Sequence, residues 1–236
     1  MKPPYIKKIC KINRLSFFYV NGAYIRKHLE KDFVTNADYK KYKFIPKKEI
    51  WIEQEFSKKE YEYYIKFFLA KAKYLSQGKP YKKAVRLGNI IEQKQRNKSK
   101  IVQKLRKLSK KQQIIKIHKK FLKNYSNKKI KTWIVKGFLV RSLYYLDFTA
   151  GGHDKVYKFI PEKEIWIDDA TNPKETFLTL LHELYERKLM SKDKTSKTIK
   201  KSYEKAHEKA LKIESYYRNN PKALKQRIRQ ELINQP

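Results

Sequence analysis

The stretch YKFIPKKEIWI (Tyr42–Ile52) returns 115 residues later as YKFIPEKEIWI (Tyr157–Ile167), with a single difference between positions 47 and 162. Matches at the same offset extend on both sides of this stretch. After an insertion of seven residues in the second copy, they resume at an offset of 122 residues. Internal similarity at a fixed period is typical of a structural unit that is built more than once. The chain of 236 residues is therefore predicted to be a tandem duplication of one small unit.

The strands of one unit are predicted from local patterns in the second copy. Trp133 to Arg141, with Lys136-Gly137 at its centre, is typical of a short hairpin. The alternation of Ile165 and Ile167 with Glu164 and Trp166 favours a further strand. We expect these strands to form a short antiparallel sheet.

The helices of the unit are predicted from capping signals. Asn172 as N-cap, followed by Pro173 and by Glu175 as a capping-box acid, starts a helix that should end near Ser191. A second helix is expected at about 199–218, and a last short helix should follow Asn220-Pro221 by the same logic. The fold class is therefore α+β, a small sheet followed by two helices and written twice.

Three domains follow from these patterns: a first copy at 1–92, a connector at 93–131 and a second copy at 132–236. No Asp or Glu occurs from Gln93 to Leu146, and apolar residues recur every seven positions from Ile101 to Leu122. This pattern predicts a basic amphipathic helical connector. Its lysines either contact a nucleic acid or simply face water.

The composition limits the class of protein. The formal charge of +36 has two interpretations. It predicts attraction to polyanions, or it simply reflects the lysine-rich composition of proteins from AT-rich genomes. No apolar run reaches the roughly 18 residues that a membrane span needs, and the N-terminus lacks the pattern of a signal peptide. Cys10 is the only cysteine, which excludes an internal disulfide and favours a reducing compartment. We therefore expect an intracellular protein, in the cytoplasm or, if the chain is viral, in host cytoplasm or virion.

The helix that starts at Pro173 carries the residues with the clearest chemical meaning. His182 and Glu186 are four residues apart, so they lie on one face and can bind one ion. Glu183 lies beside them, as expected for a general base next to a metal. The spacing follows the H-E-x-x-H pattern of zinc hydrolases, with a carboxylate in place of the second histidine.

The second helix supplies His207, which an antiparallel return would place opposite His182. Three protein ligands and one water are the usual set of a catalytic Zn²⁺ site. We predict His182, Glu186 and His207 as ligands, and Glu214 as either an orienting residue for His207 or a further ligand.

The first copy lacks this set of residues. In the first copy, His182 and Glu183 are replaced by Phe67 and Phe68. Glu186 is replaced by Lys71, and His207 by Val85. Glu214, in contrast, is kept as Glu92. The first copy is therefore interpreted as a degenerate one.

Two further residues of the second copy are candidates with open roles. His153 follows two glycines and is either a substrate contact, an extra ligand or an ordinary loop histidine. Tyr185 either assists an oxyanion or packs between helices.

A set of motifs runs through the second copy from about Val135 to Ser215: Asp147-Phe148, Gly151-Gly152-His153, Phe159-Ile160-Pro161, Glu164–Asp169, Leu181–Leu184, Glu186-Arg187, Leu189-Met190, Tyr203, Ala206-His207 and Glu214. In these motifs the second copy resembles a family of small zincin-like metallopeptidase domains in phage, virus and mobile-element proteins. The resemblance implies a zincin-like fold and a metal site. The lysine-rich loop between the two helices departs from the family, and many members have His at the position of Tyr185.

These observations lead to two hypotheses of different classes. The first is a zinc-dependent hydrolase, most readily a peptidase, with Glu183 as general base and the strand at 164–167 offering an edge to an extended peptide. The second is a basic nucleic-acid-binding protein without enzymatic activity, which the charge and the many aromatic residues favour. The oligomeric state stays open.

Overall fold

The chain divides into two compact units in a computed structural model that describes residues 2–33, 35–57, 60–193 and 195–236. Unit 1 comprises residues 1–113 and 141–146, and unit 2 comprises residues 114–140 and 147–236.

The first elements in chain order are β1 (Tyr5–Ile12), β2 (Leu15–Val20), α1 (Gly22–His28), β3 (Asn36–Asp38), β4 (Glu49–Glu53), α2 (Gln54–Ser57), α3 (Tyr61–Ser76), α4 (Tyr81–Arg96) and α5 (Lys100–Arg106). They are followed by α6 (Lys110–Ile117), β5 (His118–Phe121), a 3₁₀ turn (Lys123–Tyr125), β6 (Lys131–Val135), α7 (Gly137–Leu143), β7 (Gly151–His153), β8 (Glu164–Asp168), α8 (Pro173–Lys192), α9 (Ile199–Asn219), a 3₁₀ turn (Pro221–Ala223) and α10 (Leu224–Ile233).

Each unit is built on a four-stranded sheet, and the two sheets have the same topology. The strand order is β1-β2-β4-β3 in unit 1 and β5-β6-β8-β7 in unit 2. In both sheets the central pair is parallel and the outer pairs are antiparallel. Ser16 pairs with Glu49 and Lys131 pairs with Glu164, so the register is also the same at an offset of 115 residues. The α+β class is confirmed, and the sheets are mixed rather than antiparallel as predicted.

The predicted hairpin at Trp133–Arg141 is wrong. The chain leaves strand β6 at Val135 and enters helix α7, whose first residue Gly137 donates its N–H to Asp169 at 3.3 Å. Strands β6 and β8 are parallel, and parallel neighbours need a crossover rather than a tight turn. Helix α7 lies within that crossover.

The helices of unit 2 agree closely with the capping signals. The Asn172 side chain accepts the Glu175 N–H at 2.9 Å, and Pro173 occupies the first turn of α8. Helix α8 ends one residue beyond the predicted Ser191, and α9 starts at the predicted Ile199 with Thr198 as its cap. The Glu175 carboxylate also accepts a hydrogen bond from Arg218 of α9.

Helix α8 lies in the interior of unit 2. Its apolar residues join side chains of the sheet and of α10 in one core, which contains Ile130, Ile165, Ile167, Leu178, Leu180, Leu181, Leu184, Leu224, Ile228 and Leu232. Every residue from Leu178 to Leu184 is buried. Polar side chains on this helix are therefore removed from water and need partners inside the protein.

The predicted connector at 93–131 is only partly helical. Helices α4, α5 and α6 account for its first part, but His118–Phe121 forms strand β5, which pairs with β6 in the sheet of unit 2. The domain boundaries themselves stay a prediction. None of the helices among the described residues combines the length and apolar character needed to cross a bilayer.

Candidate metal centre

Helices α8 and α9 pack as an antiparallel pair and bring the predicted ligands together. The start of α8 contacts the end of α9 through Glu175 and Arg218, while His182 in the middle of α8 meets His207. The predicted antiparallel return is therefore confirmed. One nitrogen of His182, one of His207 and one oxygen of Glu186 lie within 4.8 Å of one another.

The three atoms form a small triangle. His182 Nε2 lies 3.0 Å from His207 Nδ1 and 3.4 Å from Glu186 Oε2, and His207 Nδ1 lies 2.8 Å from the same oxygen. A tetrahedral zinc ion with ligands at 2.0–2.1 Å keeps those ligand atoms about 3.3 Å apart. The triangle therefore has nearly the size that a bound zinc ion requires.

Hydrogen bonds alone satisfy such a triangle poorly. The two facing nitrogens bring at most two protons, so the three short edges of the triangle cannot all be hydrogen bonds at the same time. A cation at the common point would instead take one lone pair from each of the three atoms. The donor set of two imidazoles and a carboxylate is one that zinc accepts.

Glu214 orients His182 rather than His207, which corrects the predicted pairing. Its carboxylate lies 2.8 Å from His182 Nδ1, and Arg218 holds it from the other side at 2.7 Å. Burial alone would raise the pKa of Glu214. The hydrogen bond with His182 and the charge of Arg218 nevertheless lower this pKa to about 2. The ionised carboxylate can only accept, so His182 Nδ1 carries a proton and Nε2 is the atom turned toward Glu186 and His207.

The charges of the other two groups follow from the same contacts. Burial favours the neutral form of Glu186, but hydrogen bonds from His153, His182 and His207 lower its pKa far below the usual range. Burial also disfavours a charged His182, yet its hydrogen bonds with Glu186 and Glu214 raise the pKa of His182 well above the usual value. Without a metal, the centre therefore contains an imidazolium between two carboxylates.

Glu183 differs from its neighbours. Burial and the nearby negative charge of Glu186 raise the pKa of Glu183 to about 8. Among the described residues, no hydrogen-bond partner holds its carboxylate. A carboxyl group with a pKa near neutrality and without a fixed partner has the properties of a general acid or base.

His153 lies on edge strand β7, directly behind Glu186. Its side chain is fully buried, and Nε2 lies 3.0 Å from Glu186 Oε1. The close approach of strand and helix depends on Gly151, because a Cβ there would lie 2.7 Å from Thr179 Cγ2. Full burial disfavours the predicted substrate contact. His153, Glu183 and Glu186 form a second group with ligand atoms within 4.8 Å.

Tyr185 points toward a different part of unit 2. The centroid of its ring lies 4.7 Å from the Lys188 ammonium and 6.0 Å from the guanidinium of Arg227 on α10. These contacts favour the packing role over the oxyanion role.

A buried Glu–Arg–Glu cluster clamps the helix pair, and it occurs in both units. In unit 2, Arg218 pairs with Glu175 and Glu214 at 2.9 and 2.7 Å. In unit 1, Arg96 pairs with Glu60 and Glu92 at 2.6 and 2.8 Å, and Arg141 adds a further pair with Glu60. The sequence comparison matched Glu92 with Glu214 but missed the two arginines. Their separation of 122 residues, the same as that of Glu92 and Glu214, was the available signal.

Unit 1 has a different cation in the corresponding place. Lys71, at the position of Glu186, forms an ion pair of 2.7 Å with Asp38, at the position of His153. The Lys71 ammonium lies 4.4 and 5.2 Å from the ring centroids of Phe68 and Phe67, which replace Glu183 and His182. A side-chain ammonium thus occupies the surroundings that correspond to the candidate metal centre of unit 2.

The predicted peptide-binding edge at 164–167 is wrong. Strand β8 is flanked by β6 and β7, so both of its edges are already paired. The edge strand next to α8 is β7, which carries His153.

No model of a known protein family matches the chain, and neither does any curated protein or solved structure. Support for a metal site therefore comes only from the arrangement of His182, Glu186 and His207.

Proposed function

We propose that unit 2 is a zinc-dependent hydrolase, most readily a metallopeptidase with a zincin-like centre. Unit 1 is then a duplicate of the same structural unit without the centre. The observation that carries this proposal is the triangle of His182 Nε2, His207 Nδ1 and Glu186 Oε2, with edges of 2.8–3.4 Å.

The duplication is supported by the shared strand order, the shared register and the shared ion cluster of the two units. The resemblance of residues 135–215 to zincin-like domains agrees with a ligand pair on one helix. All these features are expected if the first copy lost its ligands and kept its scaffold.

The ligands are held in place by this chain's own contacts. Glu214 fixes the ring of His182, and Arg218 fixes Glu214. The centre opens toward solvent at His207, whose side chain is 24% exposed, compared with 8% for His182. A substrate would therefore approach along the His207 side.

Zinc bound here would polarise a substrate carbonyl and lower the pKa of a bound water to about 7. Glu183, whose carboxylate lies within 4.8 Å of that of Glu186, would take a proton from that water and pass it to a leaving amine. Its pKa of about 8 in the metal-free chain falls when a cation binds nearby, because an opposite charge favours the ionised form. Glu183 is then an ionised base at neutral pH.

The test compares metal content and activity of the full chain, purified without chelators. The His182→Ala variant should lose zinc, whereas the Glu183→Gln variant should keep zinc and lose cleavage of a fluorescently labelled, unfolded protein such as casein. His28→Ala removes an exposed histidine of unit 1 and is the matched control. Wild-type protein without stoichiometric zinc would refute the proposal.

A second candidate function, binding of single-stranded nucleic acid by unit 1, is favoured by one loop. The segment 39–48 has five exposed lysines and no acid, whereas the corresponding segment 154–163 of unit 2 has three lysines and two acids. Phe44 is 38% exposed and stacks on Tyr42 with ring centroids 5.4 Å apart. Lysines beside exposed aromatic rings are typical of surfaces that bind phosphates and bases together.

This candidate is tested with a single-stranded oligonucleotide at several salt concentrations. Replacing Lys40, Lys41 and Lys48 by Gln should lower the salt slope of the affinity by about 0.7 for each phosphate that is no longer neutralised. The matched control replaces Lys155, Lys158 and Lys163 by Gln in unit 2. Equal effects of the two triple variants would indicate attraction by bulk charge and no dedicated surface.

A further inference from the structure

The protonation of His153 is determined by its two neighbours. The backbone N–H of Lys155 donates to His153 Nδ1 at 3.2 Å, so Nδ1 presents a lone pair. An imidazole whose Nδ1 accepts a hydrogen bond is neutral and carries a single proton. That proton must be on Nε2, and Nε2–H donates to Glu186 Oε1 at 3.0 Å.

This tautomer excludes His153 as a ligand in the observed arrangement. A ligand nitrogen needs a free lone pair, but Nδ1 is already an acceptor and Nε2 carries the proton. The group of His153, Glu183 and Glu186 therefore does not provide a second metal site, although its atoms lie close together.

The position of His153 is itself fixed on α8. The next residue, Asp154, accepts two hydrogen bonds from Arg187, at 2.7 and 3.1 Å. Arg187 follows Glu186 directly, so the end of strand β7 is tied to the same turn of the helix that carries the carboxylate.

We propose that His153 is a positioning residue that restricts Glu186 to binding the metal through one oxygen. The proposal rests on the zinc site proposed above. Oε1 accepts the proton of His153, which leaves Oε2 alone to face His182 and His207. A carboxylate that binds through one oxygen keeps the fourth position of a tetrahedral ion open for water or substrate.

Unit 1 provides independent support. At the same two positions it has Asp38 and Lys71, which form a direct ion pair. The two positions have therefore changed together, as expected if the residue on the strand acts through its partner on the helix.

The experiment uses the full chain and zinc alone as the probe. His153→Gln keeps an N–H donor at the end of the side chain, and His153→Leu removes the donor at similar volume. We expect His153→Leu to weaken zinc binding by about 10- to 100-fold and His153→Gln to remain within about threefold of wild type. Thermal unfolding of the metal-free variants shows whether each one is folded.

The ¹⁵N chemical shifts of the His153 ring in wild-type protein provide a second readout that needs no variant. We expect a protonated Nε2 and an unprotonated Nδ1 both without and with zinc. Loss of the Nε2 proton on zinc binding would identify a ligand and overturn the proposal, as would equal zinc affinities of the Gln and Leu variants. Failure of wild-type protein to bind zinc would refute the metal centre itself, which is a distinguishable result.

Discussion

Replacing Lys71 by Met tests whether the ammonium of unit 1 neutralises a buried carboxylate. Lys71 is 4% exposed, and the side chain of its partner Asp38 is 13% exposed. Removing one partner of a fully buried ion pair costs about 3–5 kcal/mol, and removing the cation–π interaction with Phe68 adds about 1 kcal/mol. Asp38 can regain some solvent or take up a proton, so we expect the Lys71→Met variant to lose about 2–4 kcal/mol of unfolding free energy.

The two members of this ion pair should also be coupled in their effect on stability. Burial lowers the pKa of Lys71 despite Asp38, so the buried charge is itself costly. The double variant Asp38→Ala/Lys71→Met should therefore be less destabilised than Lys71→Met alone. Urea unfolding at 25 °C measures both, with Lys73→Met, an exposed lysine on the same helix, as the control. A double variant as unstable as the sum of its single changes would refute the reasoning.

Three further predictions concern the charged groups. Glu214→Gln should weaken zinc binding by about 10- to 100-fold, because the Nδ1–H of His182 loses its ionised partner. A competition titration with a chelator measures this change. An unchanged zinc affinity would mean that Glu214 only supports the helix pair. Below the raised pKa of His182, zinc affinity should rise by up to about tenfold per pH unit, because zinc displaces a proton from His182. Calorimetry in buffers of different ionisation enthalpy detects that proton. A zinc affinity that does not depend on pH would contradict the assignment. Burial opposes the ionised form of Glu60, but Arg141 and Arg96 lower its pKa, so its contribution to stability is complete above the unfolded value near 4.5 and is lost as the pH falls through the folded value. In acid unfolding curves, Glu60→Gln should therefore flatten the pH dependence, and a curve parallel to wild type would contradict this.

The helix pair could be predicted because its signals are local. Asn172 and Pro173 determine where α8 starts, and Thr198 does the same for α9. The four-residue spacing of His182 and Glu186 then follows from helix geometry, and a short loop requires the antiparallel return to His207.

Other features depend on contacts between distant residues. The parallel pairing of β6 with β8 joins residues about 33 positions apart, and no local pattern at Gly137 distinguishes a hairpin from the helix that makes this crossover possible. Similarly, Glu214 could be placed on the correct face of α9, but its choice of His182 over His207 depends on Arg218, which occupies the other side of the carboxylate.

The arginine clamp has a practical consequence for protein engineering. In unit 1 it already fixes how far α3 and α4 are shifted along each other, and it does so without any ligand. Replacing Phe67, Lys71 and Val85 by metal-binding residues would therefore place them on helices that are already aligned. Such a design problem reduces to choosing side chains, because the backbone does not have to be rebuilt.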